Sequence, residues 1–253
     1  MRPSDSEKQT FEDRFSSQAD AYARYRPVYP KALYEFLAGV APGRTCAWDC
    51  GTGNGQAAVG LAKHFELVVG TDASAAQVSI ARPHPNVTYR VALADDSGLA
   101  DRSVDLVTVA SAMHWFDLPS FYDEARRVLV PRGVLAAWGY REARVAPGID
   151  ELLRTFQNEI VGEYWSPRIR IVAQGYERLD FPFDEIACPA MDVTAKWEAD
   201  DMLGFLETWS ASQSYFEARG VRATTKIACE LAAQWGSSAR HVRWPLTALF
   251  GRA

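Results

Sequence analysis

Two carboxylates and three glycines are spaced along this 253-residue chain as a nucleoside-bearing ligand would require. The first group is Asp49-Cys50-Gly51-Thr52-Gly53-Asn54-Gly55-Gln56, with glycine at alternate positions. Such glycines let the backbone take positive φ and leave no Cβ wall, so a ligand can lie against the main chain and the first helical N–H groups. The plainer reading is an ordinary strand-to-helix turn. The second acid, Asp72, ends the apolar run Glu66 to Thr71, at the distance where nucleoside-binding α/β folds place a carboxylate for the ribose hydroxyls. The loop's detail separates two ligand classes. A dinucleotide loop wants its third glycine where Gln56 stands. Asp49, two residues before the first glycine, would repel a pyrophosphate but favour a cationic headgroup.

Other residues suited to chemistry lie outside the loop. His114, in Ala112-Met113-His114-Trp115-Phe116, titrates near neutrality and is a candidate general base, or a loop-fixing hydrogen-bonder. Tyr22, Tyr25, Arg26 and Tyr29 form either a lid over a pocket or a helix stripe packed on the core. Trp115, Trp209 and Ser210 are candidate substrate-pocket walls, against simple packing. Arg141, Arg144, Arg168 and Arg170 could face a carboxylate substrate or sit as solvated cap residues.

The elements that must position these groups follow from periodicity and breakers. Phe11 to Tyr25 carries one aromatic helical stripe, and Pro27 and Pro30 end it. A helix is expected over Lys31 to Val40, with Leu33, Phe36 and Leu37 inward. Strands are expected at Thr45 to Trp48, Glu66 to Asp72, Val87 to Val91, Asp105 to Ala110 and Val134 to Trp138, with helices at Gln56 to Phe65, Ala73 to Arg82 and Ser120 to Leu129. This alternation predicts a mostly parallel sheet covered on both faces, with ligands at the carboxyl ends of its strands. Beyond Tyr140 the pattern weakens. Helices are expected over Ile149 to Tyr164, Ala199 to Tyr215 and Thr224 to Trp235, an extended segment over Phe183 to Val193, and a closing strand over His241 to Phe250. Pro245 must then sit at a bulge or an unpaired position. The chain is read as a single domain over 1–253, with a cofactor-binding core at 31–140, an inserted cap at 145–180, and the remaining sheet and pocket wall at 181–253.

Composition excludes several classes. With 48% hydrophobic and 23% charged residues the chain is of ordinary globular type. A net charge of -5 gives no footprint for a polyanion, so no nucleic-acid partner is expected. The four cysteines form no CxxC pair and do not alternate with histidines, so no metal is expected. The polar N-terminus lacks a signal-type apolar stretch and no run is long enough to span a membrane, which points to a cytoplasmic protein, monomer or homodimer.

On these residues the chain resembles the class I S-adenosylmethionine-dependent methyltransferases, over Ala47 to Trp138. The resemblance implies a doubly wound, seven-stranded, mostly parallel Rossmann-like sheet with a mainly helical cap, and S-adenosyl-L-methionine as cofactor. Asp49, Gly51, Thr52, Gly53, Gly55 and Gln56 would hold the amino-acid end, and Asp72 and Ala73 the ribose. Ala94 and Asp95 would flank the adenine, although Leu93 replaces the usual acid two positions earlier. Ala110 closes the strand beneath the methyl. Outside the core, Phe15, Ala19, Tyr22, Arg26-Pro27, Tyr29-Pro30, Ala112 to Phe116 and Thr208-Trp209-Ser210 resemble the subgroup that includes trans-aconitate methyltransferases. That implies a small-molecule acceptor methylated on oxygen or nitrogen, with Tyr22 and Arg26 over the cofactor and Tyr22, Tyr29, Trp115, Trp209 and Ser210 toward the substrate. The rival readings are a non-catalytic cofactor-binding module, an NAD-dependent oxidoreductase, which Gln56 and Asp49 oppose, and an RNA methyltransferase, which the acidic balance opposes.

Overall fold

A computed structural model describes residues 24–167, 169, 176 and 179–253. The eight strands are β1 (Cys46–Cys50), β2 (Leu67–Asp72), β3 (Val87–Val91), β4 (Val104–Ala110), β5 (Leu129–Tyr140), β6 (Asp184–Glu185), β7 (Asp192–Trp197) and β8 (Arg240–Arg252). They form a sheet of order β3-β2-β1-β4-β5-β8-β6, with β7 on β8. The first five strands pair in parallel, and β8 closes antiparallel on β5. The mostly parallel sheet expected from the alternation, and the Rossmann-like architecture that the resemblance implied, are therefore present, with β7 as an additional eighth strand.

The sheet is buried on both sides because its central strands alternate between two apolar clusters. Ala47, Val68, Leu106 and Ala136 face one cluster, while Trp48, Val69, Val107 and Ala137 face the other. Helices α1 (Lys31–Val40) and α2 (Gln56–Leu61) cover the first face through Leu33, Leu37, Ala57 and Leu61. A short α3 (Ala75–Ser79) follows β2, and α4 (Leu118–Val128) covers the second face through Phe121, Ala125 and Val128. Strand order reverses between β2-β1 and β4-β5, so the crevice at the carboxyl end of β1 is the place for a ligand.

The later part departs from the simple pattern for identifiable reasons. The expected helix over Ile149 to Tyr164 is α5 (Pro147–Thr155), a π-turn (Phe156–Ile160) and a 3₁₀ turn. An N–H from Val161 to the Phe156 carbonyl, 3.0 Å, widens the helix so that both apolar side chains stay fully buried. The expected single helix over Ala199 to Tyr215 divides into α6 (Ala199–Glu207) and α7 (Ser210–Arg219). The Thr208 hydroxyl donates back to the Phe205 carbonyl at 2.6 Å, and Trp209 is extended, which ends one helix and starts the next. A 3₁₀ turn (Ala223–Lys226) leads into α8 (Ala228–Trp235). The strand expected over Val134 to Trp138 starts earlier, because Pro131 to Gly133 are absorbed into β5, where Arg132 takes φ 67° and the pairing with β4 shifts register. Pro245 is not in a bulge. It pairs with Asp192 where β8 passes from β7 to β5, and its carbonyl accepts from the Arg141 N–H at 2.8 Å.

Gly60 lets α2 lie on α1: a Cβ there would stand 2.2 Å from the Tyr34 ring. Helix propensity alone would favour Gly60→Ala by about 1 kcal/mol. Overpacking against a buried ring costs about 1–3 kcal/mol, so the contact should win. We expect Gly60→Ala to lower the melting temperature by roughly 2–6 °C; a rise measured by calorimetry would show that propensity dominates.

Candidate active site

The glycine loop leaves β1 and is folded onto the neighbouring strands. Gly51, Gly53 and Gly55 all take positive φ, of 68°, 53° and 79°. Two of them are required for close approach as well. A Cβ on Gly51 would stand 2.6 Å from that of Ala112, and one on Gly55 would stand 2.1 Å from the Tyr89 hydroxyl. Around Gly53, by contrast, the nearest atom to a Cβ would be Gln77 Oε1 at 3.8 Å, so this glycine carries the loop's open side. Its N–H donates to Asp72 Oδ2 at 2.8 Å, and Asp72 Oδ1 accepts from the Ser74 N–H at 2.9 Å. The loop and the acid ending β2 are thus one unit. Ala73 is half-buried beside them.

Asp49 lies inside this unit and is fully buried. Its Oδ2 accepts from the Thr52 hydroxyl at 2.6 Å, its Oδ1 from the Thr108 hydroxyl at 2.7 Å, and the Ala58 backbone N–H adds a third bond. Burial pushes its carboxyl up to about 6, against these hydrogen bonds, and the Asp72 charge adds to the rise. Asp49 therefore holds the loop from within.

The strand after this unit ends in a loop whose start is tied to it: the Ala92 N–H donates to the Asp72 carbonyl at 3.1 Å. Ala94 is half-buried and Asp95 exposed at the tip, flanked by Val91 and Leu93, which are 56% and 54% exposed. Two large apolar side chains in the open beside an acid make a surface suited to the face of a planar ring.

At the carboxyl end of β4, Ala110 is followed by Ser111 with φ 56°. Its N–H still continues the ladder to the Trp138 carbonyl at 2.7 Å, while its Oγ lies 3.2 Å from the Tyr29 hydroxyl. The Tyr29 ring is buried edge-on against Trp138, 5.6 Å between centroids. Met113 is buried behind this end, and His114 and Trp115 are half-buried, with their rings 4.7 Å apart.

A strap crosses from the cofactor side to the opposite wall. Gln56 Nε2 donates to the Pro27 carbonyl at 3.3 Å. Arg26 donates to the Tyr140 hydroxyl at 2.7 Å and to the Thr208 carbonyl at 3.1 Å, with its guanidinium over the Phe205 ring. The Tyr25 ring packs on Gly204. Trp209 joins Phe156, Trp165 and Phe205 in an aromatic cluster, and Ser210 opens α7 beside it. A small cleft against this cluster is lined by Arg144, Asp150, Arg154, Phe205 and Trp209. Tyr22, Arg168 and Arg170 lie outside the described residues. Arg141 and Arg144 are exposed, and both take part in backbone pairing with β8.

Two side chains join the site that sequence reasoning passed over. Ser111 is marked by its positive φ, which only the fold reveals. Tyr140 could have been found, as a polar ring at the carboxyl end of a buried strand.

A family model described as "Methyltransferase domain" matches residues 48–137. A Dictyostelium discoideum protein named for methyltransferase activity is 32% identical over 212 residues, 82% of this chain and 81% of that protein. A solved structure from Anaeromyxobacter dehalogenans, described as a type II methyltransferase, superposes with TM-score 0.84 at 42% identity over 90% of this chain and 98% of that one. The methyltransferase pgmE of Aspergillus terreus is 26% identical over 217 residues, and the chain spans 59% of its length.

The Asp49 geometry makes a pH prediction. Its folded value is raised above the unfolded one, so the folded state retains a proton that the unfolded chain releases. The resulting stability is present below the ordinary value, near 4, and is lost as pH rises through about 6. In urea denaturation at pH 4 to 7.5, the stability of the wild type relative to Asp49→Asn should therefore shrink with rising pH and then level off. A constant difference would mean that Asp49 is ionised throughout.

Proposed function

The chain belongs to the class I S-adenosylmethionine-dependent methyltransferases, and from that membership we propose that it methylates an oxygen or nitrogen nucleophile of a small molecule, a carboxylate or a natural product. The observation carrying this reading is that the Gly53–Asp72 unit and the Tyr29–Ser111 hydroxyl pair lie at the carboxyl ends of neighbouring strands of one sheet. S-adenosylmethionine, when bound, supplies a methyl group on a positive sulfonium, activated for in-line displacement. The chain's part is to place two partners and exclude water.

In this proposal Gly51, Thr52, Gly53 and Gly55 form the cradle for the cofactor's amino-acid end, with Asp49 and Gln56 setting the loop's shape. Asp72 and Ala73 take the ribose, Ala94 and Asp95 the base, and Ala110 forms the floor. Arg26 straps the cradle to the acceptor wall, and Tyr22 is assigned to the cofactor on its sequence position. Asp49 and Asp72 share one electrostatic field, so a cationic ligand beside them relieves their mutual repulsion and a pyrophosphate would add to it. This charge balance supports a sulfonium over a dinucleotide.

The acceptor would meet Tyr29, Ser111, His114, Trp115, Trp209 and Ser210. Aromatic walls suit a cation and a flat acceptor. Ser111 can accept the acceptor's own X–H and so aim the remaining lone pair, and His114 can take the proton where the nucleophile arrives protonated. Residues 31–140 as cofactor core, 145–180 as cap and 181–253 as pocket wall are the division that this reading uses.

The test is a screen of labelled-methyl transfer to small carboxylates, phenols and N-heterocycles, with product mass spectrometry. Transfer to none of them, but to RNA or protein, would overturn the small-molecule reading. With the acceptor found, His114→Ala should lower turnover by about 10²-fold while cofactor affinity by calorimetry stays nearly constant; unchanged turnover removes the base. Ser111→Gly relieves a positive φ worth about 1 kcal/mol or more but takes away the hydroxyl beside Tyr29 at a similar cost, so its melting temperature should change little while turnover falls. A fully active variant would make Ser111 a fold residue only.

A further inference from the structure

The loop between β3 and β4 is anchored on both sides of its tip, and the proposed cofactor contacts explain only the anchor on the near side. The first is the Ala92 N–H on the Asp72 carbonyl. The second lies beyond the tip, at Ser97, which is 2% exposed. Glu124 of α4, 7% exposed, reaches under the loop. Its Oε1 accepts from the Ser97 N–H at 2.9 Å and, in a short bond, from the Ser97 hydroxyl. Ser97 Oγ in turn accepts from the Leu99 N–H at 3.2 Å.

Arg127 completes the anchor. Its Nε donates to Glu124 Oε2 at 2.7 Å, and its Nη2 donates to Glu124 Oε1 and to the Leu99 carbonyl, both at 2.8 Å. Its Nη1 pairs with Asp101 farther along the same loop. Burial would raise the Glu124 carboxyl, but the Arg127 and Ser97 hydrogen bonds outweigh it and hold the group at about 2, ionised at any working pH. A buried, charged, fully bonded carboxylate is a costly way to fix a surface loop. Between the two anchors the Leu93–Asp96 bridge shapes the tip that carries Ala94 and Asp95.

We propose that Glu124 is a positioning residue for the cofactor's base: through Ser97 it fixes the tip so that Asp95 and the tip backbone can read an exocyclic amine, with Val91 and Leu93 against the ring. The inference rests on the cofactor site proposed above. A ligand whose ribose lies on Asp72 must extend its base along the neighbouring strand, and β3 is that neighbour, with Val91 in register with Asp72. The exposed Asp95 carboxylate is an acceptor, which matches the amine of adenine and not the carbonyl of hypoxanthine. Glu124 touches no ligand in this account. It acts by keeping the reader in place.

The test measures binding of S-adenosylhomocysteine and of its hypoxanthine counterpart, S-inosylhomocysteine, by calorimetry on the full chain. The wild type should prefer the adenine compound by at least about tenfold, the worth of one well-placed hydrogen bond. Glu124→Gln and Ser97→Ala should each weaken S-adenosylhomocysteine and bring the preference close to unity, leaving the hypoxanthine compound little changed. A loss of general stability would weaken both compounds alike, so the ratio separates positioning from folding. Should Glu124→Gln fail to fold, Ser97→Ala, which removes one hydroxyl, decides alone. The inference is overturned by a folded variant that keeps the wild-type ratio, or by a wild type that binds both compounds equally. A wild type that binds neither would instead sink the cofactor-site reading beneath it.

Discussion

Four pieces of the fold meet on the buried Asp49 carboxylate: the end of β1 that carries it, the loop through Thr52, β4 through Thr108 and α2 through Ala58. A buried acid without partners would be strongly unfavourable, so each of these bonds is also a constraint on where its donor can stand. Satisfying Asp49 brings Thr52 back under the strand end, and the glycines on either side must then take positive φ. With the loop turned that way, Gly53 faces Asp72 and the cradle is formed. Gly51 and Gly55 have no freedom left, because Ala112 and Tyr89 fill the space where a side chain would be.

From that centre the site spreads along the sheet in both directions. Toward β2 and β3 it is made of main-chain groups and short side chains, close in sequence. Toward β4 and β5 it is made of rings and one guanidinium brought from far apart, with Arg26 lying 114 and 182 positions from its two partners. Ser111 marks the seam. Its strained backbone keeps the β4–β5 ladder intact and still turns the hydroxyl to Tyr29, so the strap and the sheet register support one another.

That division explains what the sequence made legible. The five parallel strands, the glycine loop and Asp72 follow from period, breakers and short spacings, and they stand where those signals put them. Helix existence was readable as well, but not continuity. The widening at Phe156 depends on burying Phe156 and Val161 together, and the break at Thr208 on a hydroxyl bonding back to Phe205. Neither leaves a mark in hydrophobic periodicity. Arg26 stood out as a charge near tyrosines, but its partners are fixed by tertiary packing, and the positive φ of Ser111 follows from ladder geometry rather than from serine itself.

The same contrast bears on what the fold can vary. Thr52 and Thr108 both bond to the buried Asp49, and Asp72 holds the Gly53 and Ser74 N–H groups, so a change at Asp49 leaves two buried hydroxyls without their partner and the loop is held tightly. The proposed acceptor wall is mainly ring against ring, around Phe156, Trp165, Phe205 and Trp209. Apolar packing of this kind accepts changes of shape at smaller cost than a hydrogen-bonded cluster does, provided volume is kept. Glu124 extends the rigid character to the loop after β3, on the donor side. In the proposed reading, such a chain would fix the position of one ligand through polar bonds at the sheet and leave the other to the contour of its aromatic wall.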